Sequence, residues 1–159
     1  LVYNQNAGMQ KPMWDKLKET VLYLRSKGLR VDGIGWQGHL KLSRSTSQFT
    51  QNTDQALKDL SELIDWAHSN NLDFHVTELD YKLTDQSNLA SELQEQAQLY
   101  QKIINVLQSK VNTGVVTLNL WDLGQRLKKP NIYFQSIYDA NFKPTPAYTV
   151  IKNAIINNK

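Results

Sequence analysis

The sequence predicts an α/β domain built on parallel strands, and three observations carry that prediction. Short apolar runs alternate with long segments of helical periodicity, and helices of this length between strands imply parallel pairing through right-handed crossovers. The composition is that of an ordinary globular chain, with 40% hydrophobic and 21% charged residues in 159. At the C-terminal end of each of the last three strands, the apolar run also hands over to polar or aromatic residues.

The elements follow in chain order. Leu1 to Tyr3 is a short apolar run cut off at its start. Trp14, Leu17, Val21 and Leu24 repeat at spacings of three and four, Pro12 fits the first turn and Gly28 the stop, so a helix is predicted from about Lys11 to Lys27. The second strand is Val31 to Trp36, where Gly33 and Gly35 allow close approach by backbone or ligand. Lys41 to Gln51 is polar and reads as a loop. Asn52 and Gln55 stand at capping-box spacing ahead of a stripe of Leu57, Leu60, Ile64 and Ala67, which predicts a second helix ending at Asn70-Asn71. A third strand covers Asp73 to Thr77. The third helix carries Leu93, Ala97, Tyr100, Ile104 and Leu107, the fourth strand is Val115 to Leu120, and the last helix runs from near Pro146 to the terminus. The order is β-α-β-α-β-α-β-loop-α, in a single segment covering residues 1–159.

Composition excludes several classes. Lys and Arg total 18 against 15 Asp and Glu, a net charge of +3, and they are scattered without a basic stripe, so nucleic acid is not an expected partner. There is no cysteine, hence neither a disulfide framework nor a thiolate metal site. No run approaches the roughly 18 apolar residues of a membrane span. The chain opens on Leu1 rather than Met, and is read as a processed or excised piece whose targeting segment is out of view.

The polar strand ends hold the candidate chemistry, because in parallel β/α folds ligands bind at that edge. Glu78 and Asp80, two residues apart, point to the same side of an extended strand end, a placement that suits glycoside hydrolysis; by spacing alone they also read as the start of a solvated loop. His39, after Trp36-Gln37-Gly38 on the preceding strand, is close enough to donate a hydrogen bond to a carboxylate on the next, favouring an ionised and nucleophilic Glu78. A lone histidine is as readily structural, and His68 and His75 are read that way. A metal site from His39, Glu78 and Asp80 lacks any His-x-x-x-His or similar spacing, so no metal or cofactor is expected. No Gly-x-Ser-x-Gly elbow or phosphate-binding glycine loop is present. Trp121 ends a strand where an aromatic face can stack on a pyranose; Trp14 and Trp66 read as packing, and Trp36 fits either role.

Four ordered motifs, Asp32-Gly-Ile-Gly-Trp-Gln-Gly-His-Leu40, Val76-Thr-Glu-Leu-Asp80, Leu118-Asn-Leu-Trp-Asp122 and Tyr138-Asp-Ala-Asn-Phe-Lys-Pro-Thr-Pro-Ala-Tyr148, resemble the last three strands and final helix of glycoside hydrolase family 10, mainly endo-β-1,4-xylanases. The resemblance implies the C-terminal half, strands five to eight with their helices, of a (β/α)₈ TIM barrel, since a whole barrel takes about 250 residues. It implies retaining hydrolysis of β-1,4-xylosidic bonds, with Glu78 as nucleophile, His39 and Asp80 in its hydrogen-bond network, and Gln37, Trp121 and Asn4 on the substrate side.

The family's acid/base glutamate lies at the end of strand four, upstream of residue 1, so the isolated chain is expected to be inactive. Trp121-Asp-Leu-Gly-Gln-Arg-Leu127 replaces the usual Trp-Gly, Ser/Thr-Asp and second tryptophan, and Asn4-Gln5-Asn6 replaces Asn-Asp-Tyr. The implied partners are xylan or xylo-oligosaccharide and the missing N-terminal half-barrel or a second copy of the chain. The implied location is secreted or periplasmic. The rival expectations are a non-catalytic carbohydrate-binding half-barrel and an assembly piece whose open sheet leaves two edges and one apolar face to be covered.

Overall fold

A computed structural model describes residues 1–6, 9–41, 48–83, 86–129 and 132–156. Four strands, β1 (Val2–Gln5), β2 (Gly33–Trp36), β4 (Asp73–Leu83) and β5 (Val116–Leu120), lie side by side in that order, and every neighbouring pair is parallel. The crossovers are α1 (Lys11–Ser26), α3 (Thr53–Ser69) and α4 (Leu89–Ser109), and α5 (Pro146–Ile156) closes the described chain. The helix ends behave as their residues dictate. Pro12 occupies the first turn of α1, and Gly28, at φ 74°, takes the left-handed conformation that ends it. The Asn52 side chain caps α3 by accepting from the Gln55 amide at 3.4 Å.

Strand period decides which face is buried. Ile34, Trp36, Phe74 and Val76 all point to the helix side, where each is 1% exposed or less, and Trp36 stacks on Phe49 with ring centres 5.0 Å apart. Trp14 is buried in the same layer and Trp66 packs at its margin. The opposite face carries Asn4, Asp73, His75, Thr77, Thr117 and Asn119. This corrects one expectation: the sheet face without helices is largely polar, and exposed apolar groups stand at the two sheet edges. Leu1 precedes β1, Val2 and Tyr3 belong to it, and Val111, Val115 and Ile155 stand on the β5 side.

Three features depart from the sequence reading. β4 continues beyond Thr77 to Leu83, because a two-residue strand β3 (His39–Leu40) pairs with its outer half in parallel. A hairpin of β6 (Arg126–Lys129) and β7 (Ile132–Gln135) pairs antiparallel to the same half on the other side. The segment read as a loop from Lys41 to Gln51 contains one helical turn, α2 (Gln48–Gln51), while 42–47 lie outside the described residues, as do 157–159 at the end of the predicted last helix.

Candidate active site

The site is built by a break in strand register. Val76 pairs with Leu118 but Leu79 pairs with Leu120, so β4 spends three residues where β5 spends two. The same extra residue shows against the other neighbour, where Trp36 pairs with Val76 and His39 with Asp80. An inserted residue moves every following side chain to the other face. Leu79 therefore goes to the helix side, where it is fully buried, and Glu78 and Asp80 join Thr77 on the polar face. Without the bulge both carboxylates would continue the Phe74 and Val76 series into the apolar layer.

A second irregularity faces the bulge. Gly38 has φ 57°, and a Cβ there would lie 3.2 Å from Val76 Cγ1 and 3.4 Å from Leu79 Cα, so backbone conformation and space both favour glycine. The turn at Gln37-Gly38 starts β3 and carries His39 out over β4. His39 Nδ1 then lies 2.8 Å from Asp80 Oδ1, and Nε2 lies 3.1 Å from Glu78 Oε2. Asp80 is 1% exposed, while Glu78 keeps 16% of its side chain accessible.

These contacts favour the protonated ring. Both ring nitrogens face carboxylate oxygens, which only accept when ionised, so the doubly protonated imidazolium is the form that donates to both. Burial pushes the His39 pKa down, but the hydrogen bond and charge of Asp80, then the charge of Glu78, outweigh it, and the net shift is upward. The result is a partly accessible Glu78 bridged by the His39 ring to a buried Asp80, an arrangement that favours the ring's cationic form.

The remaining candidates are placed as follows. Trp121 follows β5 directly, its amide donating to the Leu79 carbonyl at 3.1 Å, and its ring meets His39 edge-on with centres 6.0 Å apart; it is 45% exposed. Asn4 lies farther along the polar face, where its Oδ1 accepts from the Thr77 hydroxyl at 2.9 Å across Gly35; a Cβ on Gly35 would fall 2.6 Å from that oxygen. Gln37 is half-buried, and its amide donates to the Gln5 carbonyl at 3.0 Å. Thus His39, Glu78, Asp80 and Trp121 form one cluster, and Asn4 joins the polar face through Thr77. His75 bonds Thr117 at 2.9 Å on that face, and His68 bonds Thr113 at 2.7 Å and the Val115 carbonyl at 3.2 Å, tying the end of α3 to the approach to β5. Among the described residues no group of three or more His, Cys, Asp or Glu side chains is arranged to hold a metal ion.

Sequence reasoning missed the support behind the cluster. Lys41, just beyond β3, donates to Tyr81 Oη at 2.7 Å and to Glu92 and Glu95 at 3.0 Å each, and Tyr81 donates to Glu95 at 2.6 Å. Burial alone would lower the lysine pKa, but the two glutamates raise it; burial and Glu95 together push Tyr81 far up, so it stays a phenol. Glu92 and Glu95, three apart on α4, were a visible helical pair, but nothing marked Lys41 as their partner.

The model of the Glycosyl hydrolase family 10 matches residues 1–154. The chain belongs to glycosyl hydrolase family 10. It is 27% identical over 154 residues to endo-1,4-beta-xylanase A of Thermoanaerobacterium saccharolyticum, covering 94% of this chain and 12% of that protein. It is 26% identical over 159 residues to endo-1,4-beta-xylanase 5 of Pyricularia oryzae, covering 98% and 37%. Among solved structures, xylanase 10B from Thermotoga petrophila in complex with xylobiose superposes with a TM-score of 0.77 at 22% identity, covering 99% of this chain and 46% of the other. A Penicillium canescens endo-1,4-beta-xylanase gives the same TM-score, identity and coverage. The family 10 chain therefore spans about half of those solved structures and a smaller share of the curated relatives, and its fold is part of a (β/α)₈ barrel.

Proposed function

We propose that this chain supplies the nucleophile side of a retaining endo-β-1,4-xylanase active site. The carrying observation is Glu78, held by His39 against buried Asp80, at the C-terminal edge of parallel strands in a family 10 chain. In this mechanism a Glu78 oxygen attacks the anomeric carbon as the glycosidic C–O bond breaks. A second carboxylic acid, in the part of the barrel this chain does not span, protonates the leaving oxygen. The glycosyl ester is then hydrolysed by water that the same acid, now a base, deprotonates, returning Glu78 as a carboxylate. His39 donates to Glu78, Asp80 anchors His39, and Trp121, Gln37 and Asn4 line the sugar side.

A retaining pair must stand about 5–5.5 Å apart, so the isolated chain binds sugar without turning it over. The exposed apolar groups along β1 and at the β5 edge favour a covered assembly, with the remaining half-barrel as the partner and a second copy as the rival. Polymeric xylan is too large to cross a membrane, and this favours the reading that the working protein acts outside the cell or in the periplasm. The test is Glu78→Ala in the complete catalytic domain with an activated xyloside. Hydrolysis should disappear, and normal turnover would overturn the assignment.

A further inference from the structure

Left-handed backbone brackets the two residues of β3. Gly38 before them sits at φ 57° and Lys41 after them at φ 61°. Glycine adopts that conformation freely, whereas a lysine holds it only when its surroundings impose it. Those surroundings are the contacts of its own ammonium. Lys41 Nζ donates to Tyr81 Oη at 2.7 Å and to Glu92 and Glu95 at 3.0 Å each, and the side chain is only 16% exposed. Tyr81 belongs to β4 and the two glutamates to α4, so one cation fastens the far end of β3 to two other elements.

What β3 carries is His39. Its pairing with β4 is limited to His39 with Asp80 and Leu40 with Tyr81, so Tyr81 serves both as a register partner and as part of the lysine's anchor. The ring's own contacts leave little slack. His39 lies 2.8 Å from Asp80 and 3.1 Å from Glu78, and the second distance is already near the upper end of the hydrogen-bond range, so a displacement of β3 by a few tenths of an ångström would lose it.

We infer that Lys41 is a positioning residue: with its ammonium on Tyr81, Glu92 and Glu95, it holds β3 where His39 bridges Glu78 and Asp80. The effect on turnover rests on the reading of Glu78 as nucleophile; the effect on the ring does not. The first test is the titration of the His39 ring, followed by NMR in the 159-residue chain. Burial lowers the ring's pKa, and Asp80 and then Glu78, the charged groups of β4 that face it, carry it above the ordinary value. Two consequences of Lys41→Met have opposite signs. Loss of a nearby cation, by charge alone, raises the His39 pKa, whereas release of the ring from its carboxylates lowers it toward the ordinary histidine value of about 6.5.

A downward move is expected, with the ring resonances of His68 and His75 unchanged. Lys41→Arg, which keeps the charge and the donors, should restore the wild-type midpoint. The double variant Lys41→Met/Glu92→Leu removes one charge of each sign and serves where the single variant does not fold; its His39 midpoint should be lowered as well. In the complete catalytic domain, Lys41→Met should lower kcat about tenfold or more on an activated xyloside while KM stays nearly unchanged. An unmoved or raised His39 midpoint, equal movement of all three histidine rings, or a full kcat in the Met variant would each overturn the positioning role. Turnover surviving in Glu78→Ala would instead sink the nucleophile assignment, and the ring titration of the isolated chain would stand apart from that result.

Discussion

Replacing Asp80 by Asn probes the cluster without changing its shape. The carboxylate is 1% exposed and takes the His39 Nδ1–H at 2.8 Å. A hydrogen bond to a charged group contributes about 1.5–3 kcal/mol against about 0.5–1.5 for a neutral one, so the substitution should cost roughly 1–2 kcal/mol when the ring is protonated. The pH dependence has a definite sign. His39 is shifted upward in the folded chain, so the folded state holds its proton more tightly than the unfolded one. The stabilisation is complete below the unfolded histidine value, about 6.5, and is lost as pH rises through the higher folded value. Urea unfolding followed by tryptophan fluorescence should show the full deficit of the Asn variant at pH 5.5 and a smaller one at pH 8.5. An Asn variant as stable as wild type at pH 5.5, or a deficit identical at both pH values, would refute the imidazolium bridge.

Gly38→Ala should destabilise the chain by about 1–2 kcal/mol, since it places a side chain at φ 57° against Val76. It should also shift the ring resonances of His39, which spectra unchanged from wild type would contradict. Lys41→Met removes three hydrogen bonds and leaves Glu92, 7% exposed, without its cation. A cost of about 2–3 kcal/mol is expected, below the full buried-pair figure because Glu95 is 39% exposed at its side chain. Adding Glu92→Leu should recover most of it in thermal melts, and a double variant no better than the single would show that the ion cluster is not what holds α4 to the β3 end.

The crossovers were legible because helix and strand periods differ and because their punctuation is chemical. Pro12, Gly28, Asn52 and Asn71 mark ends that the structure keeps, with Gly28 and Asn71 both at positive φ. The outer layer of strands was not legible. β3 has two residues and β6 and β7 four each, too short for any period to show, although Ile132, Tyr133 and Phe134 are strand-favouring residues. These strands exist because the outer half of β4 offers unpaired backbone on both sides, a tertiary condition that local sequence does not express.

The site was legible for a partly accidental reason. Glu78 and Asp80 do share a face, as a spacing of two requires, but that spacing fixes only their relation to one another. Their relation to the apolar series Phe74 and Val76 is also even, so strict alternation would have put both carboxylates under the helices, at a desolvation cost of several kcal/mol each. The inserted residue at Thr77-Glu78 turns the series over once, and the left-handed turn at Gly38 lets the neighbouring strand follow the same shift, which is why His39 meets Asp80 in register. Both irregularities occupy the same level of the sheet. The fold thus spends ladder regularity at one place, and the geometry gained there is a histidine poised between two carboxylates on adjoining strand ends.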